Sequence, residues 1–447
     1  MSPQTLPDSV IIVGAGIFGL STALAIARRH RSTKVTVVDR QVPPVEDGTS
    51  VDTTRCIRSV YADPEYGHLA AEAQRKIEED PELKPYYFKQ GMSFVTSGKP
   101  GPLLDVWKNG LANLESQGRA GSLVHMRTPE EVFRRIHGED AQPVPDRNLA
   151  KERSWNYGYC NLEDAFIDAK ESIRVYYERC LRHSSITFKC GVPVERLSVR
   201  DGRATGVVLE DGHTLAAGLT LISAGAWSPK LVDLEGLMYS TCLEVAWIKL
   251  TAEEVSKWKN MSITTNLNTG LNLFPPHNGE TKILRRSPGY RNTVTIPHPE
   301  DPSRMIQTSI PRTIVTNPRD VIPAEAETGL RDQLREIMPS LADRPFDRTK
   351  LCWLSHTSSS DFIIASHPRI QGVHVATGGS GHAWKFLPII GDLVLDSIHG
   401  VLAPNLAEKW AYAPKGPDRG NASMLRGEIK ELRDFVRSSN GAVRGRL

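Results

Sequence analysis

The chain opens on a pattern of apolar and polar positions that predicts a strand, a helix and a second strand. Residues 10–13 are four consecutive apolar residues, which fit a short buried strand. Gly14, Gly16 and Gly19 follow at G-x-G-x-x-G spacing, and a helical composition follows the glycines. Residues 35–38 are apolar or β-branched and predict the second strand. The opening of the chain is therefore expected to form a β-α-β unit.

This unit is typical of a dinucleotide-binding site. Gly14 permits a tight turn, Gly16 lets a pyrophosphate approach the backbone, and Gly19 lets the helix pack closely on the strand. The phosphates are expected at the helix N-terminus, where free N–H groups and the helix dipole favour negative charge. Asp39 ends the second strand and can accept hydrogen bonds from both ribose hydroxyls of an adenosine. The pocket therefore suits FAD or NAD rather than NADP, and the alternative is a glycine-rich turn that binds nothing.

The later patterns predict a mixture of helices and strands. Helices are expected at about 65–84, 103–117, 129–136, 162–181 and 425–436. Separate strands are expected at about 186–189, 194–199, 204–209 and 213–215, and the D-G turns between the last three are typical of hairpins. Strand pairs are expected within 87–96 and 350–368. An apolar strand ending in Ala224 and Gly225 would bring backbone close to the dinucleotide, which favours a flavin protein over a simple NAD dehydrogenase. Arg55 and Arg58 would share one face if residues 52–61 were helical.

Composition and charge exclude several classes of protein. The 447 residues suffice for two or three domains, and 55 basic against 52 acidic residues give no argument for nucleic-acid or membrane binding. We expect a protein that stays inside the cell, because no apolar run reaches membrane-spanning length and the start lacks a secretory signal. The final G-R-L only weakly resembles a peroxisomal address, so the expected location is cytoplasmic or peroxisomal. Scattered cysteines indicate neither a disulfide framework nor a metal site.

Several motifs taken together resemble one family. These are V-G-A-G-I-F-G, D-T-T-R-C-I-R-S-V-Y, S-A-G-A-W-S, T-K-I-L-R-R-S-P-G-Y, K-L-C-W-L-S-H-T and G-G-S-G-H-A-W-K-F-L-P-I-I-G. In this order, over nearly all of residues 8–402, the chain is similar to the sarcosine oxidases and fructosyl-amino-acid oxidases (amadoriases), and it looks like a fungal-type member. That group consists of FAD enzymes that oxidise secondary amines of amino acids.

The resemblance implies a fold of mixed α/β and α+β class. A Rossmann-like FAD-binding domain of the glutathione-reductase and D-amino-acid-oxidase type would carry an inserted β-rich substrate domain. We expect residues 1–85, 150–225 and 346–402 in the FAD-binding domain, 86–149 and 226–345 in the substrate domain, and 403–447 as a C-terminal extension.

The resemblance also implies roles for individual residues. Cys352 matches the cysteine that holds the flavin through a thioether, and Lys282 matches the lysine that promotes reaction of the flavin with oxygen. Arg58 and Lys385 match the pair that holds the substrate carboxylate, and Arg55 matches a residue beside the flavin. Matched positions complete the expected FAD site with Gly14, Gly16, Ile17, Phe18, Gly19, Asp39, Arg40, Thr54, Val194, Ala224, Gly225, Gly379, Gly381, His382 and Lys385.

Arg286 departs from the family pattern, because relatives have histidine or glutamate at this place. Even spacing along a strand would put residues 282, 284 and 286 on one face, so Arg286 could reach the distal part of a substrate. A guanidinium there would favour a second carboxylate, as in saccharopine-like adducts, or a stacked aromatic ring. The alternative is that Arg286 pairs with an acid of its own domain and never meets substrate.

The sequence thus predicts an FAD-dependent oxidase of a secondary amine, with an N-alkyl or cyclic L-amino acid as substrate. Hydride transfer to flavin N5 would give an imine, and oxygen would then be reduced to hydrogen peroxide. A more specific form of this prediction is oxidation of an N-methyl group of an aromatic amino-acid derivative, with ring closure in fungal secondary metabolism. Alternatives are a fructosyl-amino-acid oxidase, an L-saccharopine or L-pipecolate oxidase, an NAD-linked amine dehydrogenase, and a non-catalytic nucleotide-binding scaffold. The expected partners are a small substrate and O2, with neither nucleic acid nor membrane, and the chain is expected as a monomer or homodimer.

Overall fold

A computed structural model describes residues 5–99, 102–138, 154–414, 416–417 and 427–436. Its α-helices in this part of the chain, α1 to α10, span Ile17–Arg29, Pro64–Glu79, Pro102–Ser116, Pro129–His137, Ala169–Leu181, Ala252–Trp258, Ala324–Ile337, Pro339–Ala342, Leu387–His399 and Pro404–Lys409. The strands β1 to β12 span Ser9–Val13, Lys34–Asp39, Arg55–Ile57, Tyr87–Phe88, Met92–Thr96, Leu123–Met126, Tyr157–Asn161, Ala165–Ile167, Ile186–Cys190, Val194–Arg200, Arg203–Leu209 and Thr214–Ala216. The strands β13 to β24 span Leu219–Ile222, Tyr239–Lys249, Ile263–Asn266, Leu271–Leu273, Glu280–Arg285, Tyr290–Arg291, Thr293–His298, Asp301–Ser309, Arg348–His356, Ile363–Ser366, Val373–Thr377 and Lys430–Glu431.

A six-stranded sheet contains the β-α-β unit predicted at the start of the chain. Its strand order is β22-β23-β13-β1-β2-β9, and only the β22–β23 pair is antiparallel. The predicted β-α-β unit is therefore confirmed, with β1 and β2 paired in parallel register. Helices α1 and α9 pack so closely that a Cβ on Gly391 would lie 2.1 Å from the Ser21 carbonyl oxygen. Pro388 lies in the first turn of α9, where its missing N–H leaves no helical bond unmade.

A three-stranded meander, β10-β11-β12, follows the helix α5 and the strand β9. The D-G turns predicted to join these strands are confirmed, and both residues of the first turn have positive φ, with Asp201 at 50° and Gly202 at 73°. This backbone twist matches the twist of two paired strands.

The second large sheet of the molecule is mixed and has ten strands. Its main path is β24-β18-β14-β17-β16-β15-β5-β7-β6, and β21 pairs with β14 along nine residue pairs. Two of its strands, β7 and β21, come from stretches assigned from the sequence to the FAD-binding domain. The division of the chain into domains stays a prediction.

Long-range pairing overturns several local predictions. Residues 52–61 form no helix, because β3 pairs with β8. The predicted helix at 162–181 begins only at Ala169, since β8 occupies 165–167 and Asp168 caps the helix by accepting the Glu171 N–H. The strands expected within 87–96 and 350–368 are present, but they do not pair with each other. Strand β4 pairs with β8, β5 with β7 and β15, β21 with β14, and β22 with the following strand β23.

The C-terminal part of the chain differs from the predicted helix at 425–436. Of this stretch, the described residues 427–436 form the short strand β24 and one 3-10 turn, Leu432–Asp434. The strand β24 pairs with β18 of the large sheet, and Glu431 also accepts a hydrogen bond from Thr293 Oγ1 of β19 at 2.5 Å. The terminal G-R-L lies outside the described residues.

Other features bear on the predicted class of protein. All six cysteines are free thiols. In the described ranges, no helix is long and apolar enough to cross a bilayer, and no group of three or more potential ligands could hold a metal ion.

Candidate active site

The turn between β1 and α1 brings backbone against backbone at one end of a long cleft. Gly14 has φ of +108°, and a Cβ there would lie 2.4 Å from the Ser223 carbonyl oxygen. A Cβ on Gly16 would lie 2.8 Å from Ser50 Oγ. Gly16 has no side chain with which to cap α1, but Ser50 Oγ accepts the Ile17 N–H at 3.1 Å, and the start of the helix lines the cleft.

Asp39 lies at the end of β2 beside this turn. Its Oδ2 accepts the Ala15 N–H at 2.8 Å, which fixes the carboxylate at the edge of the cleft. Burial is the main cause that raises the pKa of Asp39 above its usual range. Arg40 pairs with Asp47 at 2.6 Å and lies 4.1 Å from the centre of the Trp227 ring. The predicted residues that line this cleft are Gly14, Gly16, Asp39, Arg40, Val194, Ala224 and Gly225.

A second cavity continues the cleft between the two large sheets. Both are lined by Gly16, Thr49, Ser50, Ser223 and Gly225, so they form one elongated space. The predicted residues that line the second cavity are Gly16, Ile17, Phe18, Arg55, Arg58, Gly225, Arg286, Cys352, Gly379, Gly381, His382 and Lys385. The structure thus brings together residues from both ends of the sequence and from its middle.

Cys352 lies on β21, buried but facing this cavity. The pairing of β21 with β14 places it opposite Leu243. Arg55 Nη2 donates toward the Cys352 sulfur at 3.5 Å and also donates to the Thr49 carbonyl at 2.8 Å. The guanidinium therefore holds the thiol side chain in one position at the cavity wall.

A buried ionic network lies behind this wall. Asp52 accepts hydrogen bonds from Arg55 and from Lys282, whose Nζ is 3.1 Å from Asp52 Oδ2. Burial alone would raise the pKa of Asp52, but Arg55 and Lys282 lower it to about 2. Burial lowers the pKa of Lys282 to about 8, against the attraction of Asp52. Lys282 Nζ also donates to the Thr54 carbonyl and lies 4.0 Å from the centre of the Phe274 ring, which lines the cavity.

Lys385 and Arg58 are two buried cations that line the same cavity. Lys385 Nζ donates to Tyr61 Oη at 2.8 Å, and the Arg58 guanidinium carbon lies 4.3 Å from the centre of the Tyr61 ring. Burial and then Arg58 lower the pKa of Lys385 well below its usual range. Each positive charge therefore disfavours the charged form of the other side chain until an anion lies between them.

His382 completes this chain of hydrogen bonds. Burial keeps its pKa well below the usual range, so the imidazole is neutral. Its Nε2 lies 2.8 Å from the Ser360 carbonyl oxygen, which can only accept a hydrogen bond, and its Nδ1 lies 3.1 Å from Tyr61 Oη. The tautomer that satisfies both contacts carries the proton on Nε2. Tyr61 then donates to His382 and accepts from Lys385, which fixes the ammonium at the cavity.

Arg286 directly follows β17, and its backbone N–H donates to the Gly270 carbonyl at 2.8 Å. Its Nη2 lies 3.1 Å from Asn272 Oδ1 and 3.8 Å from the Cys56 sulfur. Asn272 is fully buried, and its amide nitrogen donates to the Thr264 carbonyl at 3.3 Å. The Arg286 side chain lines the cavity with Leu284, whereas Lys282, expected on the same face of the strand, does not line it.

A comparison with models of protein families identifies the family of this chain. The sequence model described as FAD dependent oxidoreductase matches residues 9–397, which is most of the chain. The chain belongs to this family of FAD dependent oxidoreductases.

Relatives in this FAD-dependent family are similar over nearly their whole length. The chain is 28% identical to an L-saccharopine oxidase of Schizosaccharomyces pombe, covering 96% of this chain and 97% of that protein. It is 28% identical to the amino acid oxidase imqH of Aspergillus flavus, covering 89% and 95%. The solved structure of a fructosamine oxidase of Aspergillus fumigatus, Amadoriase II, superposes with a TM-score of 0.81 at 28% identity over 99% of both chains. The predicted family, fold class and FAD-dependent amine oxidase activity are confirmed.

The cleft fits FAD on its own geometry. Gly14 and Gly16 have no room for a side chain at the turn where a pyrophosphate would approach α1, and the half-buried Asp39 carboxylate lies at the same end. The other end lies between the sheets, where apolar side chains such as Leu243, Phe274 and Leu354 line the cavity together with the cations, and this suits a flavin ring. The family match identifies the cofactor as FAD rather than NAD, which the sequence pattern had left open.

Three predicted site residues do not line either cavity. Gly19 packs against the β1–α1 turn, where a Cβ would lie 1.8 Å from the Gly14 carbonyl oxygen. Lys282 and Thr54 lie behind the wall and contact each other. Sequence reasoning missed Asp52 and Asn272, because no local pattern indicates which distant cation each will meet. Tyr61 stood in a recognised motif, yet its bond to Lys385 spans 324 residues.

Proposed function

We propose that this enzyme oxidises the secondary amine of an N-alkyl or cyclic L-amino acid to an imine and releases hydrogen peroxide. One observation carries the proposal: two buried cations, Arg58 and Lys385, line the same cavity as Cys352. A substrate carboxylate held by both cations would present its amine to the flavin end of the cleft.

The carboxylate is the group that this cavity binds best. A guanidinium such as Arg58 can bind both oxygens of a carboxylate at once, and Lys385 adds a second charge. The anion would also relieve the mutual repulsion that lowers the pKa of Lys385. Tyr61 and the neutral His382 keep the ammonium in place by hydrogen bonds at 2.8 Å and 3.1 Å.

FAD, when bound, accepts a hydride from the carbon next to the substrate nitrogen and passes two electrons to oxygen. The chain needs no strong base for this reaction if the amine binds neutral, because the nitrogen lone pair assists departure of the hydride. Arg58, Arg286 and Lys385 line the cavity together with Arg55. Their positive charges repel a protonated amine and so favour the neutral form of a nearby substrate amine. Their second task is to orient the substrate carboxylate.

Lys282 is the residue proposed to promote the reaction with oxygen. Its ammonium is buried behind Phe274, and Asp52 keeps it largely protonated at neutral pH because its pKa stays at about 8. A preorganised positive charge in a dry site stabilises negative charge that develops as oxygen takes up electrons. The protonated lysine thus supplies electrostatic stabilisation rather than a proton shuttle.

Cys352 is proposed to hold the flavin through a thioether. The sulfur lies at the wall of the cavity and is fixed by Arg55, which supports an attachment at this point. The other five cysteines do not combine a place in this wall with a contact to Arg55 at hydrogen-bonding distance.

The relatives leave several amines open as substrates. An L-saccharopine oxidase and a fructosamine oxidase act on different secondary amines, and this chain is 28% identical to each. Pipecolate and N-methylated aromatic amino acids, the latter with ring closure in secondary metabolism, are further candidates.

A peroxide assay across sarcosine, pipecolate, saccharopine, fructosyl-valine and N-methyl-tyrosine tests the proposal. We expect peroxide equal to the amine consumed, without added nicotinamide. An absolute need for NAD, or no turnover by FAD-loaded protein with any secondary amine, would contradict it. Acid precipitation gives an independent readout, since a yellow pellet is expected for covalent flavin.

A further inference from the structure

Two buried lysines lie at the proposed active site, and their partners differ. Lys282 Nζ lies 3.1 Å from the Asp52 carboxylate, which compensates its charge. Lys385 Nζ donates instead to two neutral acceptors, Tyr61 Oη at 2.8 Å and the His382 carbonyl oxygen at 2.7 Å. In the part of the chain that the structure describes, no acid forms an ion pair with Lys385. A charged Lys385 therefore depends on hydrogen bonds alone in a residue that is only 3% exposed.

The two contacts leave one position on Lys385 Nζ for a molecule in the cavity, which this lysine lines. Tyr61 donates its own proton to the neutral His382 ring, so it accepts from the lysine, and the His382 carbonyl can only accept. Burial raises the pKa of Tyr61 and of Tyr66, whose ring packs on His382 from α2, so both phenols stay neutral. The third position on Nζ therefore carries either a proton or the lone pair of a neutral amine.

The charges around Lys385 favour the lone pair when the cavity holds no anion. Burial is the main cause that lowers the pKa of Lys385, and Arg58 and Arg286 lower it further. Cys56 and Asp164 act in the opposite direction. Burial raises the pKa of Asp164 itself to about 7, which weakens its effect near neutral pH.

We propose that Lys385 takes the proton from the ammonium of the bound amino acid, so that the substrate amine becomes neutral within the complex. The inference rests on the proposed function. In solution the amine of such a substrate is protonated near neutral pH. Its nitrogen and its carboxylate are attached to the same carbon, so a lysine that binds the carboxylate lies close to the nitrogen. The N–H bond of the ammonium breaks, and the proton bonds to the lone pair of Nζ.

The substrate carboxylate makes this transfer favourable. An anion between Arg58 and Lys385 raises the pKa of the lysine, because an opposite charge favours the charged form. Arg58 and Arg286 disfavour a protonated amine in the same cavity. The proton thus leaves the nitrogen whose lone pair is needed for hydride departure. It moves to the lysine, which then binds the carboxylate as an ammonium.

Proton exchange with the solvent tests this transfer without turnover. Titration calorimetry of the FAD-loaded enzyme at about pH 8, in buffers of different ionisation enthalpy, counts the protons that accompany binding. Pivalate and 2-aminoisobutyrate have the same shape, but the second has an ammonium in place of one methyl group, and neither has a hydrogen on the carbon beside the carboxylate. We expect pivalate to take up about one proton, because Lys385 becomes charged, and 2-aminoisobutyrate to take up almost none, because its ammonium supplies the proton.

Variants assign the proton to this lysine. Pivalate should take up no proton in Lys385→Met or in Lys385→Arg, since a guanidinium is always charged. Lys108→Met, which removes an exposed lysine, should keep the uptake. The inference is overturned if pivalate takes up no proton in the wild type, if the uptake persists in Lys385→Met, or if 2-aminoisobutyrate takes up as many protons as pivalate.

Anaerobic reduction of the flavin gives the second readout. Lys385→Arg keeps a cation for the carboxylate but cannot accept a proton. At saturating amine its reduction rate constant should fall by about 10²-fold or more at about pH 7, and the loss should shrink as pH rises toward the pKa of the free amine. A rate constant equal to that of the wild type at every pH would refute the transfer. If no secondary amine reduces the flavin while proton uptake still depends on Lys385, the proposed function fails and proton acceptance by Lys385 stands.

Discussion

Lys282 and Asp52 form a buried ion pair, with Nζ 3.1 Å from Oδ2, although 230 residues separate them in the chain. The pair joins the large sheet to the segment that carries Arg55. It also determines how much of Lys282 is charged at neutral pH, because burial alone would lower the lysine pKa further.

Lys282→Met should slow the reaction of the reduced enzyme with oxygen by about 10²- to 10³-fold, as expected for losing one preorganised electrostatic group. Reduction by substrate should change much less, since the lysine does not line the cavity. Stopped-flow measurement of the two half-reactions separates these effects. Unchanged reoxidation together with failed amine oxidation would show that the role assigned to Lys282 is wrong.

The same half-reaction should depend on pH. The lysine pKa is lowered to about 8, so its positive charge is present below that pH and is lost as pH rises through it. The rate constant with oxygen should therefore fall above about pH 8 in the wild type and stay flat in Lys282→Met. In Asp52→Asn the fall should move to lower pH, because the carboxylate that raises the lysine pKa is gone. A shift to higher pH would contradict this assignment.

These contacts show which features a sequence can predict. The β1-α1-β2 unit, the glycine turn and Asp39 follow one another in the chain, so local patterns were sufficient. Arg55 and Arg58 lie on and just after a strand because β3 pairs with β8, more than 100 residues away. No local pattern contains that information.

Prediction of the site from the sequence is limited in the same way. The resemblance identified Cys352 and Lys385 as candidates, and the structure brings both into one cavity. Asp52 and Asn272 went unnoticed, because an acid or an amide near a strand is usually solvated. Their partners became evident only when the fold placed them beside Lys282 and Arg286.

Cys352→Ala should bind FAD without a covalent bond, so that acid precipitation releases the flavin. The wild-type polypeptide should carry the added mass of one flavin in an intact-protein mass spectrum. Cys56→Ala is a matched control, because Cys56 lines the same cavity and should leave the linkage intact. A wild-type mass without flavin, in protein that binds FAD, would contradict the thioether.

Arg58→Gln should raise KM for an amino-acid substrate by about 10- to 100-fold, since a buried charge-assisted contact to the carboxylate is lost. Sarcosine and dimethylamine are compared, because the second amine has no carboxylate. We expect the wild-type preference for sarcosine to shrink in the variant, with little change for dimethylamine. An equal loss for both amines would show that Arg58 does not bind the carboxylate.

Asp164 should make stability depend on pH. It is fully buried beside Arg58, accepts the Ser59 N–H at 3.2 Å, and burial raises its pKa to about 7. The folded state thus holds this proton more tightly than the unfolded chain, so stability is lost as pH rises from about 4 through about 7. Asp164→Asn should remove this loss, worth on the order of a few kcal/mol, in urea unfolding at about pH 5 and about pH 8. The exposed Asp105→Asn is the control, and equal pH slopes in all three proteins would refute the prediction.

The central claim is that an amino-acid secondary amine transfers electrons to FAD bound in this cleft. Anaerobic mixing of the purified yellow enzyme with saccharopine, pipecolate or sarcosine measures that step alone, by the bleaching of the flavin absorbance. We predict that at least one of these amines bleaches the flavin completely, that readmitted oxygen restores the colour with one peroxide per flavin, and that the matching N-acetylated amino acid bleaches nothing. A flavin that stays oxidised with every secondary amine, in protein that holds FAD, would contradict the account.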